Sequence, residues 1–221
     1  MATALADGLW RLDLGAVNAY LYDDGEVVLV DAGTPWDADA VRAGVADAGY
    51  DLVDVDRVLV THYDLDHVGG LAGLTPALDC PVYAHDPDAS MLAGETRPPW
   101  RSLKGAFQRV TSALFVTWPA LDVERVTDGA DLGGTTAHHT PGHTPGHLAF
   151  VHRGLDVGFL GDLVRESDGD LALSPWYLSA DVDAVRESVG SLAREATPFE
   201  WACVGHGEPL RRGHERVSAL A

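Results

Sequence analysis

Short apolar runs bounded by Gly- and Asp-rich turns recur along this chain, and a few longer stretches carry apolar residues at intervals of three and four. The short runs predict β-strands. They cover 9–14, 17–22, 27–31, 57–61 and 81–84, then 121–126, 135–139, 148–152, 157–160 and 201–204. The spacing of Ala38, Val41, Val45 and Ala48 predicts a helix over 36–48. Further helices are predicted from residue 67, over 182–193, and at the end of the chain.

Residues 86–119 are less regular and hold several prolines and large aromatic residues. A helix over 102–116 is predicted there. The aromatic side chains either wall a substrate pocket or cover the sheets, and the sequence leaves both alternatives open. No repeat or linker separates a second unit, and 221 residues suit one large domain. We therefore predict a single domain over 1–221, with 86–119 as its variable segment.

The composition restricts the partners of the protein. A net charge of −19, with Lys104 as the only lysine, would repel nucleic acid and anionic membranes. No long apolar stretch or signal peptide is recognised, so we expect a cytoplasmic protein without membrane contact. Excess aspartate with scarce lysine is typical of halophilic proteins, with an ordinary acidic protein as the alternative. Cys80 and Cys203 are isolated, and buried strand positions are predicted for both rather than a disulfide.

One polar cluster stands directly after the apolar run 58–60. Residues 61–70 read Thr-His-Tyr-Asp-Leu-Asp-His-Val-Gly-Gly, which places two histidines and two carboxylates within six positions. Imidazole nitrogen and carboxylate oxygen together suit zinc, manganese or iron. A metal site is therefore predicted, and a plain polar turn with surface charges is the weaker alternative.

Three later segments each place a metal donor beside a strand. The turn 140–147, Thr-Pro-Gly-His-Thr-Pro-Gly-His, can hold His143 in one direction because proline and glycine fix its backbone. The apolar run 157–161 ends in Asp162, and the run 202–204 leads into His206 between two glycines. These three side chains could complete the site.

In this pattern the chain resembles hydrolases of the metallo-β-lactamase fold. The family carries His-x-His-x-Asp-His after a strand, then histidine in a Pro-Gly-His turn, then aspartate, then histidine. The matching residues here are His62, Asp64, Asp66, His67, His143, Asp162 and His206. The segments 17–22 and 27–33 also resemble the opening strands of the family, so the resemblance spans nearly the whole chain. It implies an α/β fold, an αββα sandwich of two mixed β-sheets flanked by helices, with the ligand turns along one edge.

The resemblance also implies how the ligands are shared between two divalent ions, with zinc favoured. His62, Asp64 and His143 would hold the first ion, Asp66, His67 and His206 the second, and Asp162 would bridge them. A metal-bound hydroxide would be the nucleophile, and Asp66 would be both ligand and catalytic residue. Asp64 departs from the usual histidine, and its harder oxygen makes manganese or iron more competitive. The alternative is that Asp64 turns away from the metals.

Other residues near these turns have smaller predicted roles. His138, His139 and His147 flank the Pro-Gly-His turn, and one of them could hydrogen-bond to a ligand, although structural or exposed imidazoles are the commoner outcome. Asp31 ends a strand beside the site and is predicted to organise the turns rather than to bind metal. His85, His152 and His214 lack a ligand context.

The favoured function is hydrolysis of a small ester, thioester or lactone at a dinuclear centre. The resemblance to glyoxalase II covers the metal turns only, and no helical region for glutathione is expected after His206. Lactonase activity would fit Tyr63 or Tyr177 as oxyanion partners, and specificity is expected in 86–119 and around Trp176. The alternative is a non-haem iron oxidoreductase, persulfide dioxygenase-like or flavodiiron-like. A metal-stabilised binding protein ranks third. The predicted partner is a small-molecule substrate, and the oligomeric state is left open.

Overall fold

The first sheet contains seven strands in sequence order. The computed structural model describes residues 1–75, 77–97 and 121–221. Its first strands are β1 (Ala2–Ala6), β2 (Leu9–Asp13), β3 (Asn18–Asp23), β4 (Val27–Val30), β5 (Val55–Leu59), β6 (Val82–Ala84) and β7 (Val123–Arg125). Strands β1 to β4 pair antiparallel, and β4 to β7 pair parallel. The carboxyl ends of β4 and β5 therefore open at the same edge of the sheet.

The second sheet contains four strands in the order β13-β10-β9-β8. They are β8 (Thr135–His139), β9 (Leu148–His152), β10 (Val157–Gly161) and β13 (Trp201–Val204). The pair β10 and β13 is parallel, whereas β9 runs antiparallel to both β8 and β10. A separate hairpin follows β10 and consists of β11 (Val164–Ser167) and β12 (Asp170–Leu173).

The described helices are mostly short. They are α1 (Ala38–Asp47), α2 (Leu65–Val68), α3 (Leu71–Leu74), α4 (Asp88–Leu92), α5 (Val182–Glu195) and α6 (Gly213–Leu220), with a 3₁₀ turn at Leu52–Asp54. Asp181 caps the start of α5, and its side chain accepts hydrogen bonds from the amides of Asp183 and Ala184, both at 3.0 Å. This cap satisfies amides that have no partner inside the helix. No helix among the described residues is long and apolar enough to cross a membrane.

Three apolar clusters define the layers of the fold. The middle cluster joins the two sheets, and in it Tyr22 of β3 stacks on Phe159 of β10 with ring centroids 5.6 Å apart. An outer cluster packs α1, α3 and α4 on the first sheet. Another packs α5 and α6 on the second sheet, with Val185 and Val189 fully buried. The predicted αββα sandwich of two mixed sheets is therefore confirmed.

Several predicted elements differ from the structure. The strand predicted over 121–126 is shorter in the structure, where β7 pairs with β6 in the first sheet. The sequence analysis missed β1, the hairpin β11–β12 and α4. The hairpin had a usable signal in the dipeptide Asp168-Gly169, and both residues adopt the positive φ that a two-residue hairpin turn requires. The helix predicted over 102–116 lies outside the described residues.

Both cysteines are free. Cys203 is buried in β13, as predicted. Cys80 is only partly buried and precedes β6, so the prediction of a buried strand position was wrong for this residue. Burial raises the pKa of the Cys80 thiol to about 11, which leaves it protonated and unreactive near neutral pH.

Candidate metal centre

The predicted ligands follow strand ends at one edge of the sandwich. His62 comes after β5, Asp162 after β10 and His206 after β13. Because β10 and β13 are parallel, their carboxyl ends bring Asp162 and His206 to the same edge. Strand β9 is antiparallel to β10, so the turn carrying His143 before β9 reaches that edge too. The topology thus gathers residues that are up to 144 positions apart in the sequence.

Backbone hydrogen bonds fasten the ligand turns to one another. The amide of Leu148, at the start of β9, donates to Thr61 O at 2.7 Å and so links the two sheets beside the site. The amide of Gly205 donates to Gly161 O at 2.9 Å, which holds the His206 turn beside Asp162. The position of each ligand is therefore set by its neighbours' backbones as well as by its own strand.

The seven predicted ligand residues form three overlapping groups. Within each group, one donor atom per residue lies within 4.8 Å of the others. The groups are His62, Asp64 and His143; His62, His67 and Asp162; and Asp66, His67 and His206. The first and third groups match the two ligand sets that the family resemblance implied, and the second joins them. The structure thus brings all seven predicted residues together.

Asp64 faces the site in this arrangement. Its Oδ2 lies 2.9 Å from His143 Nε2 and 3.5 Å from His62 Nε2. The alternative in which Asp64 turns away does not match this geometry. A carboxylate at this point places one more negative charge beside the first group than a histidine would.

Asp162 lies between the two outer groups. Its Oδ1 is 3.3 Å from His67 Nε2, and its Oδ2 is 3.3 Å from His206 Nε2 and 3.5 Å from His143 Nε2. The carboxylate therefore contacts imidazoles of both outer groups, His143 of the first and His67 and His206 of the other. This is the geometry that a bridging ligand needs.

The donor set fits divalent metal ions. Three of its atoms are buried and have no hydrogen-bond partner: His62 Nε2, His67 Nε2 and Asp162 Oδ1. A buried polar atom without a hydrogen-bond partner lowers the free energy of unfolding by about 1–3 kcal/mol. Three such atoms side by side therefore indicate a shared partner that binds all of them. A cation bound by imidazole nitrogens and carboxylate oxygens would supply it.

Each ligand imidazole is fixed through its other nitrogen. The Nδ1 atoms of His206, His143 and His67 lie 2.7 Å from Ala16 O, 2.9 Å from Ser174 Oγ and 2.8 Å from Asp31 Oδ2. An Nδ1–H that donates to such an acceptor leaves Nε2 as the lone-pair nitrogen facing the cluster. The rings are therefore held in the tautomer that binds metal.

Asp31 organises this arrangement from behind, as predicted. Its carboxylate accepts hydrogen bonds from the Thr61 amide at 2.8 Å, from the Thr61 hydroxyl at 2.7 Å and from His67. The Thr61 hydroxyl in turn lies 3.0 Å from His62 Nδ1. Asp31 thus orients His67 directly and His62 through Thr61, and it is not itself one of the proposed metal ligands. Its φ of 58° places it in the left-handed region, which an aspartate tolerates better than most residues.

His147 has a larger role than the sequence suggested. It is fully buried, its Nδ1–H donates to Thr140 Oγ1 at 2.8 Å, and its Nε2 accepts the Asp162 amide at 3.1 Å. Burial holds the pKa of His147 well below its ordinary value, which keeps the acceptor nitrogen unprotonated. His147 therefore positions the bridging aspartate. Of the flanking histidines, His139 bonds to Pro145 O instead, and His138 is half-buried on β8.

The cluster is electrostatically coupled. Hydrogen bonds to Asp162 and Asp66 raise the pKa of His206 to about 10. Burial would lower the pKa of His67, but Asp162 and Asp31 outweigh it and hold that pKa well above its ordinary value. His143 is different, because burial lowers its pKa. In the absence of metal, His67 and His206 are therefore protonated. Their positive charges then lie beside Asp31, Asp66 and Asp162, where metal ions would otherwise balance the carboxylates.

Two glycines permit the close packing of the ligands. A Cβ on Gly205 would lie 2.3 Å from Asp162 Oδ1 and 2.7 Å from His67 Cε1. A Cβ on Gly161, which has a φ of 49°, would lie 2.7 Å from His147 Nε2. A larger residue at either position would displace a ligand or its support.

Asp88 is a buried residue of this site that the sequence analysis missed. Its carboxylate accepts hydrogen bonds from the Tyr63 amide at 2.8 Å, the Thr144 hydroxyl at 2.6 Å and the Gly146 amide at 3.0 Å. It therefore joins the turn of His62 and Asp64 to the turn of His143. Its position on α4, within the segment treated as variable, gave no signal of this contact.

The loop 174–181 lies against the His143 turn. Ser174 bonds to His143 at one end of the loop, and the Ala180 amide donates to His143 O at 3.1 Å at the other. Trp176 and Tyr177 lie between these anchors and are 76% and 61% exposed. Tyr63 is only 5% exposed and packs in the first-sheet cluster, so Tyr177 is the more accessible of the two predicted oxyanion partners.

Comparison with known proteins agrees with this geometry. The sequence profile of the metallo-beta-lactamase superfamily matches residues 12–206, and the chain belongs to this superfamily. The predicted class, a metallo-hydrolase of this superfamily, is confirmed. The probable metallo-hydrolase YybB of Bacillus subtilis is 28% identical over 203 residues, covering 89% of this chain and 82% of its own length.

Two further similarities concern the site. The crystal structure of TTHA1623 in a di-iron-bound form has a TM-score of 0.69 and 31% identity, covering 90% of this chain and 91% of that one. A hydroxyacylglutathione hydrolase of Bdellovibrio bacteriovorus is 36% identical over 69 residues, which is 29% of this chain and 28% of that protein. The second similarity is local.

Proposed function

We propose that this protein hydrolyses a small ester, thioester or lactone with the help of two divalent metal ions. The observation that carries the proposal is the cluster of seven donors, with three buried ligand atoms that lack any hydrogen-bond partner. His62, Asp64 and His143 would hold one ion, Asp66, His67 and His206 the other, and Asp162 both. Such a pair of ions lowers the pKa of a shared water towards neutrality and stabilises negative charge that develops on a carbonyl oxygen.

The protein's own residues would orient these ions and move the proton. Asp66 is the most exposed of the ligand carboxylates, with 41% of its side chain accessible, and its Oδ2 lies 3.4 Å from His206 Nε2. It can therefore reach both the cluster and a bound substrate, accept a proton from the attacking water, and pass one to the leaving group. Asp31 and His147 would keep the ligands in place during this transfer.

Zinc is the favoured metal, with manganese and iron as alternatives. The mixed nitrogen and oxygen donors suit all three, and Asp64 adds an oxygen that shifts the balance towards the harder ions. The similarity to a protein whose structure was solved in a di-iron-bound form supports iron as the alternative to zinc. The local similarity to a hydroxyacylglutathione hydrolase supports a thioester within the proposed substrate class.

The proposed setting is cytoplasmic, with a small-molecule substrate and without nucleic acid or membrane partners. The net charge of −19 supports the exclusion of polyanions, because a nuclease needs a basic path for phosphates.

Metal content and a substrate panel test the proposal together. Protein purified without chelators or metal-binding tags should contain about two metal ions per chain by elemental analysis. The metal-loaded protein should hydrolyse at least one member of a panel of esters, thioesters, lactones and β-lactams. The test variant is Asp66→Asn, which should keep the fold and lose most of the turnover. Inactivity of the fully loaded wild type across the panel would contradict the proposal.

A second candidate is a non-haem iron oxidoreductase, which the di-iron form of a 31% identical structure favours. Oxygen consumption by iron-loaded protein with a thiol, persulfide or electron donor distinguishes the two functions. A zinc-loaded protein that turns over the ester panel and an iron-loaded protein inert to oxygen would exclude the redox candidate.

A further inference from the structure

His206 is the least buried of the ligand histidines. Its side chain is 33% exposed, whereas those of His62, His67 and His143 are at most 2% exposed. It stands between two glycines, and the second of them, Gly207, has a φ of 96°. Glycines permit this turn but give its backbone more freedom than other residues would. The position of His206 therefore depends on hydrogen bonds that reach the turn from other elements.

Asn18, at the start of β3, holds the turn on both sides of His206. Its side-chain Nδ2 donates to Val204 O at 2.9 Å and to Gly207 O at 2.7 Å. Its backbone amide donates to Gly205 O at 2.8 Å. The residue is only 3% exposed, and hydrogen bonds are stronger in such an environment than in water. Asn18 therefore fixes the chain immediately before and after the ligand.

Arg11 fixes the orientation of the Asn18 side-chain amide. Its Nε donates to Asn18 Oδ1 at 2.8 Å, and its Nη1 donates to Glu208 Oε2 at 2.6 Å. A guanidinium is only a donor, so Oδ1 must face Arg11 and the two N–H groups of Nδ2 must face the two carbonyls. The opposite orientation would place Oδ1 against carbonyl oxygens. Both polar atoms of the Asn18 side chain are therefore committed to this arrangement.

The same segment also holds the imidazole of His206. Ala16 O, which lies 2.7 Å from His206 Nδ1, belongs to the turn between β2 and β3, two residues before Asn18. The Leu14 amide donates to Val17 O at 3.2 Å and closes this turn. The backbone beside the ligand and the Nδ1–H of its ring are thus both bound by residues 16–18.

The first ligand group is held by other residues. Asp88 joins the turn of His62 to the turn of His143, and Ser174 Oγ lies 2.9 Å from His143 Nδ1. The restraints on the two outer groups are therefore separate, apart from the shared Asp162.

We propose that Asn18 is a positioning residue for the second metal ion, the one assigned to His206. This inference rests on the proposed function, which requires two ions. Residues that hold a metal ligand affect metal affinity because they fix the direction of its lone pair. Asn18 acts in this way on His206 and is not itself a ligand.

The geometry indicates which part of the turn depends on Asn18. Val204 O also accepts a hydrogen bond from the Tyr20 hydroxyl at 2.7 Å, so it keeps a donor when the Asn18 side chain is removed. Gly207 O loses the Nδ2 donor. The chain after His206 then has fewer restraints, and Nε2 should face the second ion for a smaller fraction of the time.

Zinc titration of the metal-free protein, followed by two-bond ¹H–¹⁵N spectra of the imidazoles, tests the proposal. These spectra resolve each ring, so His143 reports the first ion and His206 the second. In Asn18→Ala, Kd for the zinc ion that shifts His206 Nε2 should rise about ten- to a hundredfold when measured against a competing chelator. Kd for the ion that shifts His143 Nε2 should change less than about threefold.

A second variant, Arg11→Met, keeps Asn18 and removes only the donor that orients its amide. It should weaken the second ion by a smaller factor than Asn18→Ala. It also gives the same readout if Asn18→Ala does not fold.

Tyr22→Phe is the matched control for a loss of stability. The Tyr22 hydroxyl lies 2.7 Å from Thr135 Oγ1, is buried, and stands at the end of β3 remote from Asn18. Loss of this hydrogen bond should lower the urea midpoint, as Asn18→Ala should, but leave both zinc affinities unchanged.

The outcomes separate this inference from the hydrolase itself. Weaker binding of the second ion in Asn18→Ala, and not in Tyr22→Phe, supports the positioning role. Equal affinities in wild type and Asn18→Ala, or equal weakening at His143 and His206, overturn it and leave the hydrolase standing. A wild type that binds both ions but hydrolyses no member of the substrate panel contradicts the proposed function and leaves the role of Asn18 unaffected.

Discussion

The carboxylate of Asp88 joins two ligand turns that come from different sheets, and its removal should weaken both the fold and the metal site. In Asp88→Ala the amides of Tyr63 and Gly146 lose their acceptor. Each buried donor left without a partner costs about 1–3 kcal/mol, while the Thr144 hydroxyl can rotate to another acceptor. Relief of the buried charge offsets part of this loss. We therefore expect a net loss of about 2–5 kcal/mol in the free energy of unfolding.

Urea unfolding of metal-free and metal-loaded protein measures two separate effects. The metal-free protein reports the loss of hydrogen bonds alone. The metal-loaded protein also reports metal affinity, because binding to the native state adds RT ln(1 + [L]/Kd) to its stability. If Asp88 holds the turns of His62 and His143 in the geometry that binds metal, the loaded protein should lose more stability than the metal-free protein.

Asp183→Asn is the control for the change of charge. Asp183 lies in the first turn of α5, forms only an exposed ion pair with Arg186, and should give an unfolding curve close to that of the wild type. A loss below about 1 kcal/mol in metal-free Asp88→Ala would refute the hydrogen-bond argument. Equal losses with and without metal would show that Asp88 supports the fold and not the metal site.

Three further predictions concern the cluster itself. Elemental analysis of Asp64→Ala should show about one metal ion per chain where the wild type holds about two, and unchanged stoichiometry would exclude Asp64 as a required ligand. His147→Ala leaves the Asp162 amide without its acceptor and should cost about 1–3 kcal/mol in urea unfolding, with partial rescue in His147→Gln; no difference between the two variants would contradict the positioning role. Because the pKa of His206 is raised to about 10, its imidazole is protonated near neutral pH in metal-free protein and must lose that proton to bind metal. Metal affinity should therefore rise with pH between about 6 and 9, and calorimetry in buffers of different ionisation enthalpy should show proton release; buffer-independent enthalpies would contradict it.

Much of the fold could be predicted because the sheets are built from short apolar runs that end in turn residues. Strands β8, β9 and β13 have the bounds that the sequence predicted. The partner of β7 could not be predicted, because spacing along the chain does not fix strand order. Strand β1 was missed because Ala-Thr-Ala-Leu-Ala is rich in a helix-favouring residue, and its strand conformation comes from pairing with β2.

The ligands could be predicted for a related reason. Most stand in turns that follow or precede a strand, with Asp66 and His67 in the short helix α2, and the combination of residue types is rare without a metal. Of the residues that support the ligands, Asp31 could be found in this way because it directly follows β4, whereas the contacts of Asp88 and His147 could not. Asp88 and His147 do not stand out in their local sequence, and their roles depend on contacts with turns from other parts of the chain. Only the folded structure shows which isolated polar residues are buried and which ligand turns they contact.

The buried cluster and the acidic surface respond differently to salt, which connects the site to the composition. Exposed charges are screened over about 10 Å at moderate ionic strength, so self-repulsion from a net charge of −19 weakens as salt is added. The buried donors are screened far less, because His62, His67 and Asp162 are at most 8% exposed. The unpaired atoms of these three side chains gain a partner from protons or from metal ions. We therefore expect added salt to stabilise the protein through its acidic surface and bound metal to stabilise it through the buried ligands. A halophilic setting would provide the salt but would not replace the metal.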